Sequence, residues 1–188
     1  MEEGKREAKH KRAERLNNLE EKDLEKWAAL DFARQNKLWI DDFYYLGKIP
    51  MRGGYENTLV LNEETGIIFK SNNLANSEYL ISNLFKGIAI HNLLFPANNY
   101  EFVGFTGLDN GPTRTPYVEP VFKQKYVAEA TKAEPSEIKT YMESLGFEQR
   151  TPESYYNGQY LVSDLHPRNV LKDSEGNFHV VDAMCRTL

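Results

Sequence analysis

Cysteine is nearly absent from this chain of 188 residues, in which Cys185 is the only one. A single cysteine cannot form an intramolecular disulfide, and it disfavours a structural zinc site built on cysteine ligands. No apolar run approaches the roughly 18–20 residues that span a bilayer, and the first thirty residues are too charged for a secretory signal peptide. We therefore expect a cytoplasmic protein without a membrane partner.

An excess of basic charge is also lacking. The 28 acidic side chains outnumber the 23 of Lys and Arg, and the net charge of -5 disfavours a surface built to coat nucleic acid or anionic lipid. Residues 1–26 hold eight acids and eight bases, so we predict a charged, solvated N-terminal helix there and a compact domain over residues 27–188. The basic cluster Lys5–Arg15 leaves a nucleic-acid arm as the alternative, although interleaved acids dilute its field. The helix is expected to dock late, through Trp27, Leu30, Ala33 or their neighbours.

Hydrophobic residues make up 40% of the chain, which is enough for one core of ordinary size. Short β-type segments dominate from Trp39 onward, and two helices interrupt them, one after Ser77 and one over Pro135–Leu145. Pro116 and Pro120 argue that the strand around them lies at a sheet edge or is irregular. The fold class is therefore α+β. The predicted strands are Phe43–Leu46, Thr58–Leu61, Ile67–Lys70, Tyr100–Phe105, Tyr117–Phe122, Tyr160–Ser163, Val170–Lys172 and Phe178–Val181.

A cluster of oxygen-bearing side chains precedes and follows the last predicted hairpin. If the turn is centred near Glu175, antiparallel pairing places Asn169 opposite Asp182, so that an amide oxygen and a carboxylate converge at one end of the hairpin. Such oxygen ligands suit Mg²⁺, which completes its shell with water and substrate phosphates. Asp164, five residues before Asn169, could accept the proton of an attacking hydroxyl group. The pattern predicts a phosphoryl-transfer site.

The stretch D-L-H-P-R-N-V-L, followed by V-V-D, resembles the catalytic and metal-binding loops of the protein-kinase-like superfamily. Within it, D-L-H-P is similar to aminoglycoside-phosphotransferase-like kinases. The resemblance implies Asp164 as the catalytic base, and Asn169 and Asp182 as the ligands of a Mg²⁺ ion that binds together with ATP. His166 replaces the lysine common at this position in protein kinases, and it would contact a phosphate or brace the loop. Without the motif, His166 would be an exposed loop histidine.

The upstream half of the chain follows the order of the same superfamily. Gly53 and Gly54 look like a shortened glycine-rich loop, in which backbone N–H groups approach phosphates, and a tight turn is the alternative. Lys70 resembles the lysine that contacts the nucleotide phosphates, and Glu78 is its candidate ion-pair partner; either side chain could instead be simply solvated. The inter-lobe hinge would include Gln124, Lys125 and Tyr126, whose backbone groups would hold the edge of the adenine. The alternative is that this segment is only an edge strand that leads into a loop.

A wider similarity extends over nearly the whole chain from Trp27. The segments W-I-D-D, I-A-I-H-N-L-L-F-P-A-N-N-Y-E-F-V-G-F-T and Y-L-V-S-D-L-H-P-R-N-V-L look like the kinase-like module of large polyvalent proteins carried by bacterial phages and conjugative elements. This similarity implies a reduced protein-kinase-like fold. Its N-lobe, an antiparallel sheet with one inserted helix, would cover about 40–122, and the hinge and a minimal C-lobe would cover about 123–188.

Three functions remain open on these grounds. An ATP-dependent phosphotransferase is favoured, because the candidate base and both candidate metal ligands are present. A catalytically inactive kinase-like binding or regulatory module is the second, because fold does not imply function and only six residues follow Asp182, where peptide-binding kinases have a large helical lobe. A structural or nucleic-acid-associated accessory protein is the third. The phosphate acceptor, a protein or a small molecule, is left open.

Overall fold

The computed structural model describes residues 20–75 and 80–188. Most of the charged segment 1–26, including Lys5–Arg15, lies outside these described residues, and so does Glu78. Helix α1 covers residues 20–35 of the described chain. Its Ala29, Leu30 and Ala33 are buried in a hydrophobic cluster to which Trp27 also packs. Helix α1 therefore docks through the residues that were expected from the sequence.

A mixed sheet forms the first half of the domain. Its strands lie in the order β1-β5-β6-β4-β3-β2, and helix α2 (Ile81–Leu94) falls between β4 and β5 in the chain. Strands β2 to β6 are antiparallel to their neighbours, as predicted, but β1 runs parallel to β5. The sheet is therefore mainly antiparallel, and the parallel pairing of β1 was not predicted, because a two-residue strand carries no periodicity that could reveal its direction. The strands are β1 (Trp39–Ile40), β2 (Ile49–Met51), β3 (Asn57–Asn62), β4 (Ile67–Asn72), β5 (Glu101–Leu108) and β6 (Tyr117–Lys125).

The predicted strand Phe43–Leu46 is instead a short 3-10 helix. The carboxylate of Asp42 accepts a hydrogen bond from the backbone N–H of Tyr44 at 2.9 Å, and this cap turns the chain before a strand can form. Phe43 is buried by this turn against Val60 of β3 and Val121 of β6. A short aromatic run satisfied the β-type pattern, but the local cap decided the conformation.

Strand β6 lies inside the sheet, so the edge position is wrong, whereas the predicted alternative of an irregular strand agrees with the register shift in its pairing with β5. Pro120 pairs with Phe105 of β5, whereas the pairing of β6 with β4 extends only as far as Val121. Because Pro120 lies just beyond that last pair, its missing N–H does not interrupt the ladder between β6 and β4.

The pairing register separates the larger sheet into two faces. Successive residues of a strand point to opposite faces, and directly paired residues share one. Lys70 pairs with Phe122 and points toward α2, whereas the next residue, Ser71, pairs with Thr58 and Val121 on the opposite face. The face bearing Lys70 is called the Lys70 face below, and the other the Ser71 face.

The second half of the domain packs two small sheets and helix α3 (Pro135–Ser144) around a core that includes Met142, Tyr155, Val162 and Leu165. The helix begins with a capping box between Glu134 and Glu137, in agreement with its predicted start. The predicted strands at Tyr160, Val170 and Phe178 are confirmed, whereas β7, β8, β9 and β13 were not foreseen. The strands are β7 (Thr131–Lys132), β8 (Glu148–Thr151), β9 (Ser154–Tyr156), β10 (Tyr160–Ser163), β11 (Val170–Lys172), β12 (Phe178–Val180) and β13 (Met184–Thr187).

Cys185 of β13 is buried where this strand meets α2. Burial raises the pKa of its thiol to about 12, so the thiolate is scarce at neutral pH. The fold class is α+β, as predicted. Across residues 20–75 and 80–188, none of the helices combines the length and the apolar character needed to cross a bilayer.

Candidate functional site

The hairpin of β11 and β12 positions the candidate metal ligands. Val170 pairs with Val180, and the N–H of Val181 donates to the carbonyl of Asn169 at 2.9 Å. Asn169 therefore lies opposite Val181 and not opposite Asp182, one residue from the predicted register. Asp182 follows immediately after the ladder ends, so both ligand candidates still lie at the open end of the same hairpin.

The loop between β10 and β11 orients Asp164 and Asn169 toward each other. Asp164 adopts a left-handed backbone conformation with φ of 63°, which is uncommon for a residue other than glycine. The side-chain amide of Asn169 donates to the carbonyl of Asp164 at 2.9 Å and to its carboxylate at 2.8 Å. Because both bonds use the amide nitrogen, the amide oxygen of Asn169 is left to accept from, or bind, another group.

His166 and Leu165 hold the same loop in place. The Nε2 atom of His166 lies 3.4 Å from Asp164, and its Nδ1 accepts a hydrogen bond from the backbone N–H of Arg168. Leu165 is buried in the core, and its N–H donates to the carbonyl of Glu153. These contacts match the bracing role that was one of the two expected for His166.

The carboxyl group of Asp164 is electrostatically disfavoured as an anion. Partial burial raises its pKa above the ordinary value; the nearby His166 and the amide of Asn169 oppose this shift, and the negative charge of Asp182 adds to it. A raised pKa makes the carboxylate a better proton acceptor. The influence of Asp182 fits its position at the open end of the hairpin that follows the Asp164 loop.

Lys70 lies at the junction between the sheet and the hairpin. It is only 7% exposed, and its ammonium group donates to the carbonyl of Val181 at 2.6 Å and to the hydroxyl of Tyr100 at 3.2 Å. The ammonium also lies 4.9 Å from the centre of the Tyr100 ring. Burial lowers the pKa of Lys70, and the negative charge of Asp182 opposes this shift. Lys70 therefore reaches the residue directly before the candidate metal ligand.

Tyr100, the residue before β5, also contacts Val181. Its hydroxyl donates to the carbonyl of Val181 at 2.8 Å and lies 3.5 Å from Asp182. Burial raises the pKa of the Tyr100 hydroxyl well above its usual value, and the negative charge of Asp182 contributes. The hydroxyl thus stays protonated and able to donate, which holds the segment Val181–Asp182 against the sheet.

The predicted glycine loop joins β2 to β3, and Asn57 at its end lies near Asp182. A Cβ at Gly53 would collide with the carbonyl oxygen of Asn57, whereas Gly54 has open space around it. The side-chain amide of Asn57 approaches Asp182 at 3.5 Å, and its oxygen accepts a hydrogen bond from Asn72 at 3.2 Å. Gly53 therefore allows the tight turn that brings Asn57 to the site.

His91 of α2 contacts the β11–β12 hairpin at Val180. It is 1% exposed, its Nε2 lies 3.0 Å from the carbonyl of Val180, and its ring packs edge-on against Tyr100. Burial lowers the pKa of His91 to about 4, so the ring is neutral at pH 7 and carries its proton on Nε2, facing the carbonyl. Among the residues that the structure describes, its Nδ1 has no hydrogen-bond partner.

Two polar groups of the predicted hinge already make hydrogen bonds within the domain. The side chain of Gln124 is buried and donates to the carbonyl of Asn98 at 2.8 Å, and the N–H of Tyr126 donates to the carbonyl of Gly66 at 2.9 Å. The adenine contacts expected of this segment stay a prediction. The pairing expected between Lys70 and Glu78 also stays a prediction, since Glu78 is outside the described residues.

Four residues of the site were missed from the sequence: Asn57, Asn72, His91 and Tyr100. Only Asn57 had a local signal, as the last residue of the glycine-containing turn. The other three reach the site through the packing of β4, α2 and β5 onto the hairpin, and no spacing along the chain reports that packing.

The donor set fits Mg²⁺ with few protein ligands. No group of three or more His, Cys, Asp or Glu side chains within residues 20–75 and 80–188 is arranged to hold a metal ion. Mg²⁺ does not require such a group, because it commonly binds one or two protein oxygens together with substrate phosphates and water. Asp182 and the free amide oxygen of Asn169 meet that requirement.

A cavity of about 550 Å³ lies behind the site, between α2 and β13. Its lining includes Ser163 and Ala183, the residues next to Asp164 and Asp182 in the chain. The cavity was not expected from the sequence. Gly87 lines it where α2 comes close to β13, since a Cβ there would lie 3.0 Å from the carbonyl oxygen of Cys185.

A comparison with family models shows the family to which the chain belongs. The model of a family described as Serine/Threonine/Tyrosine Kinase found in polyvalent proteins matches residues 19–188. Since the match covers most of the chain, the chain belongs to this family, and the predicted similarity to the kinase-like module of polyvalent proteins is confirmed. Searches among curated proteins and among solved structures found no significant match. The likeness to aminoglycoside phosphotransferases stays a prediction.

Removal of the Tyr100 hydroxyl should destabilise the protein. In Tyr100→Phe the buried ammonium of Lys70 loses one acceptor and the carbonyl of Val181 loses one donor, so we expect a loss of about 1–3 kcal/mol in the free energy of unfolding. Urea denaturation measures this loss. The matched control is Tyr141→Phe, because the hydroxyl of half-buried Tyr141 makes no hydrogen bond within the described chain; it should change stability by less than about 0.5 kcal/mol. Equal effects of the two substitutions would contradict the role of Tyr100.

Mild acid should destabilise the protein through His91. Between pH 6.5 and about 4 the unfolded chain binds a proton at His91 that the native state does not bind, so stability falls as the pH falls through this range. The contribution is about 2 kcal/mol between pH 7.5 and 5. His91→Gln keeps a donor for Val180 and cannot titrate, so its stability should fall less over the same interval. Denaturation curves at both pH values test this, and equal losses in the two proteins would refute it.

Proposed function

We propose that the chain is an ATP-dependent phosphotransferase, with its site at the open end of the β11–β12 hairpin. The observation that supports the proposal is the hairpin, which carries Asn169 and Asp182 at its open end. Asn169 is bonded there to Asp164, and Lys70 is bonded to Val181, in a chain that belongs to a kinase family. Transfer would form a bond between an acceptor oxygen and the terminal phosphorus of ATP and would break the bond to ADP. The phosphate acceptor is a protein or a small molecule with a hydroxyl group.

Asn169 and Asp182 would hold the cation through one amide oxygen and one carboxylate. When bound, Mg²⁺ and ATP supply the transferable phosphoryl group and the positive charge that offsets its negative charge. The amide of Asn169 is fixed for this task, because its nitrogen is bound to Asp164. Asp182 is held near its place by weak contacts from Asn57 and Tyr100, each at 3.5 Å.

Asp164 would orient the acceptor hydroxyl and take its proton. Its carboxylate is partly exposed, with side-chain exposure of 48%, so an acceptor can reach it. The two bonds from Asn169 restrict its rotation, and its raised pKa favours proton uptake. Catalysis in this arrangement depends on positioning and on charge neutralisation, as is usual for phosphoryl transfer.

Lys70 and the Gly53 turn would border the nucleotide from the sheet. A positive charge beside Asp182 and the backbone of the turn are both suited to phosphate oxygens. Gly54, which has open space around it, leaves that backbone accessible. Tyr126 and Gln124 would border the adenine from the hinge.

A nucleotide-binding regulatory module is a second candidate, and the state of Lys70 favours it. The ammonium is buried and is already bound to the carbonyl of Val181 and to Tyr100. A lysine committed in this way stabilises the junction between sheet and hairpin whether or not phosphate transfer occurs. The two candidates differ in turnover and not in nucleotide binding.

Asp182→Asn should weaken the binding of Mg²⁺ and ATP by at least about tenfold, because an amide is a poorer ligand for a hard cation than a carboxylate is. Isothermal titration calorimetry with ATP, in the presence and absence of Mg²⁺, measures the change. Asp31→Asn, on the exposed side of α1, is the matched control and should bind as the wild type does. Binding that is equally strong in all three proteins would argue against a metal site at the hairpin.

Asp164→Asn should separate the two candidates. For a phosphotransferase we expect ADP formation from Mg-ATP to fall by about 10²–10⁴-fold, the usual contribution of a positioned base, while nucleotide affinity changes little. ADP release can be followed continuously with and without candidate acceptors. If the wild type binds Mg-ATP but forms ADP no faster than Asp164→Asn does, the regulatory module is the correct function.

A further inference from the structure

A second cavity lies on the Ser71 face of the sheet, away from Lys70 and the hairpin. Its volume is about 300 Å³, and it lies between the 3-10 helix and strands β3 to β6. The pairing register explains its position, because Thr58, Ser71 and Glu119 project from three strands to the same face. The proposed nucleotide site does not use this cavity.

The lining of the cavity is negatively charged and has no compensating base. It contains three carboxylates, those of Asp41, Asp42 and Glu119, and none of its residues is Lys, Arg or His. Asp42 is engaged with the backbone of Tyr44, and the Tyr117 hydroxyl donates to one oxygen of Glu119. Uncompensated carboxylates in a concave surface attract cations.

Two buried polar groups in the cavity have unused capacity for hydrogen bonds. Ser71 is only 2% exposed and lines the cavity, yet its hydroxyl has no partner in the part of the chain that the structure describes. Glu119 is 8% exposed, and its second carboxylate oxygen likewise has no partner among the described residues. Both side chains line the cavity, so their unused acceptor positions are available to the donors of a ligand that enters it.

The spacing of the acceptors favours an organic cation over a metal ion. The volume of about 300 Å³ exceeds the space that a bare ion fills, and the acceptors belong to three different parts of the chain, the N-terminal cap of the 3-10 helix, β4 and β6. A planar guanidinium group presents five N–H donors in a fixed fork, so it can reach several separated oxygens at once. The rings of Tyr44 and Tyr117 also line the cavity, and guanidinium groups stack on such rings.

We propose that this cavity binds a guanidinium group. Glu119 and Ser71 would accept its N–H donors at the base of the cavity, the exposed Asp41 would add attraction at the mouth, and a tyrosine ring would cover one face. The group could come from an arginine side chain of a partner polypeptide or from a small guanidinium compound. The experiment below separates these two sources.

Titrations followed by chemical shifts of ¹⁵N-labelled full-length protein test the proposal. The probes are Nα-acetyl-arginine methylamide, which mimics an arginine within a polypeptide, and agmatine, which is a free alkylguanidine. The neutral, nearly isosteric Nα-acetyl-citrulline methylamide is the control ligand. We expect at least one guanidinium probe to shift the amide signals of Ser71 and Glu119, and the citrulline compound to leave them unchanged. Binding of the arginine amide at least as tight as that of agmatine assigns the polypeptide source, and tighter agmatine binding assigns the small molecule.

Substitutions at the cavity complete the test. Glu119→Gln keeps an acceptor for Tyr117 but removes the charge, and it should weaken probe binding about tenfold or more. Asp41→Asn, at an exposed position that cannot compromise folding, should weaken binding about two- to fivefold. Glu148→Gln, on exposed strand β8, is the matched control and should bind as the wild type does. Equal binding by all variants, equal shifts with the citrulline compound, or shifts confined to other residues would overturn the proposal. None of these outcomes depends on nucleotide binding or turnover.

Discussion

The buried ammonium of Lys70 is the constraint on which the arrangement of the site depends. Removing an ammonium from water costs several kcal/mol unless nearby acceptors and charges compensate for it. Its acceptors here are the carbonyl of Val181 at the hairpin and the hydroxyl of Tyr100 just before β5, and Asp182 supplies the opposing charge. The sheet and the hairpin must therefore stay in contact for Lys70 to remain satisfied. Asp182, the next residue after Val181, is placed by the same contact.

Membership of a kinase family gives this junction a functional context. The family match covers residues 19–188 and therefore includes the glycine turn, Lys70, Asp164 and the hairpin. These residues are the ones on which the proposed function depends. The buried state of Lys70 nevertheless gives it a structural role as well, so the stability of the fold and the geometry of the site depend on the same bonds.

Much of the site could be predicted because its main parts are local. Asp164 and Asn169 belong to one loop, and the strands of the hairpin have clear apolar patterns with a polar turn between them. The register was one residue off, since several polar residues could each have been the centre of the turn. Tyr100 and His91 could not be found in this way, because they reach Val180 and Val181 only after α2 and β5 have packed. Phe43–Leu46 was misassigned because one side-chain cap outweighed a short β-type pattern.

The two faces of the sheet carry different chemistry through neighbouring residues of β4. Lys70 contributes a cation to one face, and Ser71 contributes a hydroxyl to the acidic cavity on the other.

The buried thiol of Cys185 determines how the protein can be labelled. It is the only cysteine of the chain, it is buried, and its thiol pKa is about 12. A maleimide reagent at neutral pH will therefore find no reactive thiol in the folded protein. A cysteine engineered on either face would take a single fluorophore or spin label without removal of the natural one.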